Sequence, residues 1–276
     1  MSKLKCNVCH HHCSLSENQT GLCKARSNKN GKIVPVNYGE ITSIALDPIE
    51  KKPLNRYYPG SNILSVGSFG CNLKCSFCQN YEISTVGKGE LKTQRATPEE
   101  LVQIALDLIS RGNIGIAYTY NEPLVGYEYV RDCAVLAKKN KLKNIVVTNG
   151  CFNEEVLNEL APYIDAFNID LKGFSDKFYK NIGGDFELVK KFITKAHKAA
   201  HVEITTLIIP DENDSEEEII NLSEFIASID KEIPLHISRF FPRYEMKEKK
   251  PTEVKKVYEI ANVARRKLKY VYEGNC

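Results

Sequence analysis

The chain has 276 residues, 42% hydrophobic and 26% charged, which is the makeup of an ordinary soluble globular protein with room for one large α/β domain and a small appendage. Its 38 basic and 35 acidic side chains leave a formal charge of +3, too mild and too evenly spread for a nucleic-acid footprint, so the basic stretches 247–256 and 265–269 read as solvated faces and helix ends. No run of about 18 apolar residues occurs and the N-terminus has no signal-peptide core, so a membrane span is excluded and a cytoplasmic chain is expected.

In a reducing compartment ten cysteines point to metal or redox chemistry rather than to disulfides. They are clustered, four between positions 6 and 23 and three between 71 and 78. Residues 1–60 read as a cysteine-rich segment with little regular structure beyond a short strand near 32–36, and 61–276 as the main domain. Within the first segment Cys6, Cys9, Cys13 and Cys23, with His10, His11 and His12 among them, form a soft ligand set. A structural zinc, an auxiliary iron–sulfur cluster and a set of reduced thiols all remain open there, and three consecutive histidines cannot all serve one site. The stretch from Asp47 to Pro53, followed by Tyr58-Pro59-Gly60, reads as an extended connector, because proline bars the residue before it from helix.

From residue 62 a βα rhythm begins. Strands are predicted at 63–66, 114–119, 144–148, 166–171, 202–209 and 234–238, with helical stretches between them. Thr97-Pro98-Glu99-Glu100 predicts a helix start, with a hydroxyl cap, proline in the first turn and acids at the positive end of the dipole. Leu101, Ile104, Ala105, Leu108 and Ile109 then keep a 3.6 period. Further helices are expected from Asp214-Ser215-Glu216 and over 252–268. Alternating strands and helices imply parallel pairing with right-handed crossovers, and six such units predict an α/β fold, a partial or complete (β/α) barrel with its functional groups after the strand ends.

Directly after the first of these strands stands Gly70-Cys71-Asn72-Leu73-Lys74-Cys75-Ser76-Phe77-Cys78. A loop this tight can bring three thiolates to one centre, and thiolates are the usual ligands of iron–sulfur clusters. Three ligands for four irons leave one iron open to a small molecule. A zinc site would need a second short ligand pair, and none lies just downstream.

These residues resemble the radical S-adenosylmethionine (radical SAM) superfamily, whose hallmark is a C-x3-C-x-aromatic-C loop after the first barrel strand. Cys78-Gln79-Asn80 is similar to the Cys-x-Asn of glycyl-radical-activating enzymes. Tyr118 to Pro123 stands where that family has its Gly-Gly-Glu-Pro turn, Asn121 replacing the second glycine, where the backbone is then less free. Val147-Thr148-Asn149-Gly150 and Asp170-Leu171-Lys172 match motifs after the next two strands. Asp47 to Pro53, Gly70 to Ser84 and Pro234 to Phe240 resemble the radical SAM enzymes of the AmmeMemoRadiSam system, which are similar to pyruvate formate-lyase activating enzyme.

The resemblance implies a [4Fe-4S] cluster on Cys71, Cys75 and Cys78 whose open iron takes the amine and carboxylate of S-adenosylmethionine. Reductive cleavage would give methionine and a 5′-deoxyadenosyl radical that abstracts hydrogen from a substrate under anaerobic conditions. It implies cofactor contacts from Phe77, Asn80, Thr119, Asn121, Glu122, Asn149, Asp170, Lys172 and His236, and a reductant such as flavodoxin or ferredoxin. Glu203 is a further candidate for a ribose hydroxyl. A glycyl-radical protein partner, a small molecule or peptide substrate, and a non-enzymatic iron–sulfur or zinc protein are the competing readings. His197 and His201 are expected to be solvated, Cys133 packed, and Cys151 open to a substrate contact. Relatives of this type often continue beyond Cys276 into a further cysteine-containing tail.

Overall fold

The computed structural model describes residues 3–276. Its frame is one eight-stranded sheet in sequential order: β1 (Ser43–Pro48), β2 (Asn62–Gly67), β3 (Asn113–Tyr118), β4 (Lys143–Thr148), β5 (Ala166–Asp170), β6 (His201–Ile208), β7 (Leu235–Arg239) and β8 (Val271–Gly274). β2 to β8 run parallel, and β1 is antiparallel to β2. The two edges, β1 and β8, do not pair, so of the two expected forms the barrel is the partial one.

The expected strands are all present, and two lie outside the sequence reading. β8 is four residues long and follows a helix without a strong turn signal. β1 falls inside the segment read as having little regular structure. That segment also carries the short pairings Leu4–Lys5 with Ser14–Leu15 and Arg26–Lys29 with Lys32–Pro35. Because β1 pairs with β2 along its whole length, the sheet crosses the predicted division at residue 60/61.

Helices pack the outer face. Pro98–Asp107 opens with a full capping box: Glu100 N–H donates to Thr97 Oγ1 at 3.3 Å, and Thr97 N–H to Glu100 Oε2 at 2.7 Å. Ser215 caps Glu216–Ile229 in the same manner, accepting from Glu218 N–H at 3.1 Å. The last helix covers Val254–Arg265, inside its predicted span.

The inward face of the sheet is unusual. A barrel interior is ordinarily filled by bulky branched side chains. Here Asn168, Glu203, Thr205 and His236 alternate with apolar residues on β5 to β7, and all but the half-buried Thr205 are buried. Registry sets Asn168 beside Glu203 and Thr205 beside His236. The strand alternation thus turns a polar stripe into the barrel while Val202, Ile204 and Ile208 face the helices.

The connector after β1 closes the lower end. Ile49 and Leu54, both fully buried, pack on Ile63, Ala117, Ile145 and Ala166. The peptide N–H groups of Asn55 and Arg56 donate to the Glu203 carboxylate at 3.0 and 2.7 Å, and Asn168 Nδ2 donates to the Pro53 carbonyl at 2.8 Å. The proline-rich stretch is therefore a plug, held by apolar contacts and by the polar groups above it.

Candidate active site

The upper strand ends open on a cavity of about 920 Å³. It is lined by Cys71, Cys75, Phe77, Cys78 and Asn80 from the loop after β2, and by Thr119, Asn121 and Glu122 after β3. Asn149 follows β4, Asp170 and Lys172 stand at the end of β5, and His236 lies on β7. Every residue predicted for the main site thus faces one space, although the set spans 166 positions of the chain (71 to 236).

The three thiols are half-buried in a loop whose shape is fixed by neighbours. Leu73 N–H points at Cys71 Sγ at 3.4 Å, and Asn149 Nδ2 lies 3.8 Å from the same sulfur. Asn149 Nδ2 also donates to Asn72 Oδ1 at 2.8 Å, and Asn72 Nδ2 donates to the Cys151 carbonyl at 2.9 Å. Burial pushes the Cys71 thiol well up; it pushes Cys75 to about 12, with Lys172 acting against it. Metal ligation would deprotonate both, since the thiolate is the ligand. Three thiols lining one cavity, with N–H donors aimed at the Cys71 sulfur, fit a cluster with three protein ligands.

Glu122 and Asn121 are engaged by the chain itself. Glu122 is buried; its Oε1 accepts from Thr148 Oγ1 at 2.8 Å and Leu124 N at 3.1 Å, and its Oε2 from Asn149 N at 2.7 Å. Desolvation raises its pKa to about 7, with those donors opposing. Asn121 accepts from Ser68 N–H at 2.9 Å and donates to the Gly70 carbonyl at 3.0 Å. Both side chains hold the loop after β3 against the cysteine loop. The glycine pattern that Asn121 breaks is compensated one residue earlier. Tyr120 takes a left-handed backbone, φ +72°, and Asn80 Nδ2 donates to its carbonyl at 2.7 Å.

Lys172 reaches Asp170 at 2.9 Å. Burial lowers its pKa, but Asp170 and the Cys75 sulfur more than offset this, so the ammonium is retained beside the thiols. His236 Nε2–H donates to the Glu203 Oε2 carboxylate oxygen at 2.6 Å, and the ring stacks on Tyr272. Glu203 is held well down, to about 2: desolvation opposes ionisation, but the two histidines and the Asn55 and Arg56 amides favour it. Glu203 therefore sits under His236 rather than at the cavity wall, where a ribose contact would need it.

Four residues of this region carry no predicted role. Asp47 and Lys52 pair at 2.9 Å on the cavity wall with Tyr120 between them, and Asn72 is the buried brace of the cysteine loop. The only sequence signal for the first two is the spacing Asp-x4-Lys in the connector; for Asn72 it is a lone amide between two ligand positions.

The other predictions distribute as follows. Cys6, Cys9, Cys13 and Cys23 line a separate small cavity. His197 pairs with Asp230 at 3.4 Å and His201 with Glu203 at 2.9 Å, so they share no site. Cys133 is packed in the core. Cys151 is buried against His10 Nδ1 at 3.1 Å and does not line the large cavity.

Against known proteins, the Radical SAM superfamily profile matches residues 65–223. The Methanocaldococcus jannaschii protein MJ0808 is 39% identical over 278 residues, covering 99% of this chain and 82% of that one. A pyruvate formate-lyase-activating enzyme of Clostridium pasteurianum is 28% identical over 62% of this chain and 72% of its own length. Among solved structures, SuiB of Streptococcus suis superposes with a TM-score of 0.58 at 16% identity over 77% of this chain, which spans 48% of SuiB; that likeness concerns the fold. No helix among the described residues is long and apolar enough to cross a membrane. With a family match over more than half its length and the cysteine loop at the head of the cavity, the chain belongs to the radical SAM superfamily.

Proposed function

We propose that this protein reductively cleaves S-adenosylmethionine at a [4Fe-4S] cluster held by Cys71, Cys75 and Cys78, and uses the product radical to activate a protein partner of the glycyl-radical type. The observation that carries the reading is the convergence of three thiols, Lys172–Asp170 and the loops after β3 and β4 on one cavity. When bound, the cluster and cofactor supply one-electron scission of a C–S bond and a 5′-deoxyadenosyl radical that abstracts hydrogen.

The chain's own residues position and shield. The cofactor ammonium is assigned to carbonyl and polar groups at Thr119 and Asn121, and the ribose to Asn149 and Asp170. Lys172 supplies a fixed positive charge for the carboxylate. Phe77, buried against Phe178, and Asn80 close the loop side, and His236 the floor. Glu122 acts through the loops it ties together. A cavity of about 920 Å³ lies at the upper end of the range for small-molecule sites, which leaves room for a substrate segment beside the cofactor.

Similarity to pyruvate formate-lyase-activating enzymes supports the activating role, as do the AmmeMemoRadiSam-like motifs at 47–53 and 234–240. A flavodoxin or ferredoxin is the expected reductant. The test is anaerobic reconstitution with iron and sulfide, then dithionite and S-adenosylmethionine. Formation of 5′-deoxyadenosine is expected, and its absence from iron-loaded protein overturns the reading. An organic radical on a co-expressed glycyl-radical partner supports activation; deuterium passing from a small substrate into 5′-deoxyadenosine refutes it in favour of direct action.

A further inference from the structure

The N-terminal cysteines occupy a different place in the molecule. Cys6, Cys9, Cys13 and Cys23 line one small cavity together with His11 and Arg26, and Cys6, Cys9 and Cys23 are buried. The amide of His11 faces the Cys9 sulfur, and those of Ala25 and Arg26 face Cys23. Between residues 3 and 25 the regular structure amounts to one two-residue strand pair and two isolated bridges, Cys9 with Phe152 and Thr20 with Ser27. Such segments gain their stability from a ligated centre.

The charge environment points the same way. The Arg26 side chain is 5% exposed; two of its nitrogens are paired with Glu128, at 2.8 and 2.6 Å, and Nη1 also reaches the Val125 carbonyl at 3.1 Å. Its Nε–H has no partner among the described residues. An orphaned buried donor costs about 1–3 kcal/mol, and this one belongs to a cation lining a nest of four thiols. An anionic thiolate-ligated centre would give it an acceptor and a countercharge.

His10 and His11 tie the nest to the rest of the protein. His10 bonds Gly183 O at 2.9 Å through Nε2 and Cys151 Sγ through Nδ1, and His11 Nε2 bonds Asn72 O at 2.7 Å. His11 thereby docks the nest on the main cysteine loop, and the four thiols by themselves make up a complete ligand set. Four thiolates are the usual ligand set of an iron–sulfur cluster, and the nest abuts the loop of Cys71, Cys75 and Cys78. A structural zinc is the competing occupant, and the metal content decides between them.

We infer that Cys6, Cys9, Cys13 and Cys23 hold a second iron–sulfur cluster, balanced by Arg26 and seated against the back of the main cysteine loop. The site does not depend on the reaction proposed above. The contact is close: a side chain at Gly70 would begin 2.4 Å from the Cys23 carbonyl.

The test replaces Cys71, Cys75 and Cys78 together by alanine and reconstitutes the full chain anaerobically. About four irons and four sulfides per chain are expected to remain, with about eight in the unaltered protein, and adding C9A and C23A should remove the rest. Reduction should give an electron paramagnetic resonance signal in the triple variant. A triple variant with native circular dichroism that holds no iron, or protein that holds one zinc and refuses iron at this site, overturns the inference. Should the triple variant not fold, the count on the unaltered protein decides: about four irons in protein that makes 5′-deoxyadenosine refutes the second cluster while leaving the first intact.

Discussion

The Tyr120 hydroxyl donates to Asp47 Oδ2 at 2.8 Å while its ring lies 4.6 Å from the Lys52 ammonium, although Tyr120 holds a left-handed backbone that few side chains accept. One residue from the loop after β3 thereby pins the connector that closes the barrel. Asp47 is held well below the usual carboxylate range: burial alone would raise it, but Lys52 and Tyr120 outweigh that. Lys52 is 3% exposed, so Asp47→Asn leaves a buried ammonium without its countercharge, and urea denaturation should show a loss of about 3–5 kcal/mol. Tyr120→Phe, which keeps the ring under Lys52, should cost only about 1 kcal/mol.

Gly70 and Gly60 separate steric from conformational cost. Both have positive φ, +91° and +82°, but a Cβ at Gly70 meets Cys23 O at 2.4 Å and Ala25 Cβ at 2.9 Å, whereas at Gly60 nothing lies within 4 Å. Gly60→Ala should lower stability by about 1–2 kcal/mol, the cost of a left-handed backbone. Gly70→Ala should cost more than twice as much and reduce iron retention. Thermal melts with iron counts distinguish the two.

Asn149 holds Asn72 and Cys71 through its amide nitrogen and Cys151 N–H through its oxygen at 2.9 Å. Asn149→Ala should therefore loosen the cluster loop as well as weaken the cofactor. Both a rise of about tenfold in the cofactor's Kd, about 1.4 kcal/mol, and faster iron loss to a chelator are expected. A change in Kd with unaltered iron loss would confine Asn149 to the cofactor.

Glu203 makes acid stability specific. Its folded pKa, about 2, lies below the ordinary 4.5, so its contribution is present above 4.5 and is lost as pH falls towards 2. The shift corresponds to roughly 3 kcal/mol. Glu203→Gln should flatten the decline of stability across that window relative to the unaltered protein, as read by denaturation at pH 5, 4 and 3.

Cys75→Ala should abolish 5′-deoxyadenosine formation, because it removes one of the three thiols proposed to hold the cluster on the main loop. Cys9→Ala, on the separate cavity, should leave cofactor cleavage detectable. Equal loss in both folded variants would mean that the N-terminal centre takes part in the main reaction.

The sequence by itself determined the βα order, the caps at Thr97 and Ser215, and the loop that gathers Cys71, Cys75 and Cys78. Each is a local signal: periodicity, a hydroxyl three residues before a glutamate, and thiols within one short turn. The polar stripe of Asn168, Glu203, Thr205 and His236 was also written locally, as alternation in strands that should be apolar on both faces. What only the tertiary structure decided is which donors those groups meet. Glu122, read as a cofactor contact, is bound by Thr148 and Asn149, twenty-six and twenty-seven positions away; the connector with Asp47 and Lys52 is a plug with a buried ion pair; and His11 of the histidine tract bonds the Asn72 carbonyl of the main cysteine loop. A hydrogen bond acts over about 3 Å whatever the separation along the chain. Sequence spacing therefore locates ligands that share a turn, while partners brought together by sheet order become legible only once the strands are laid side by side.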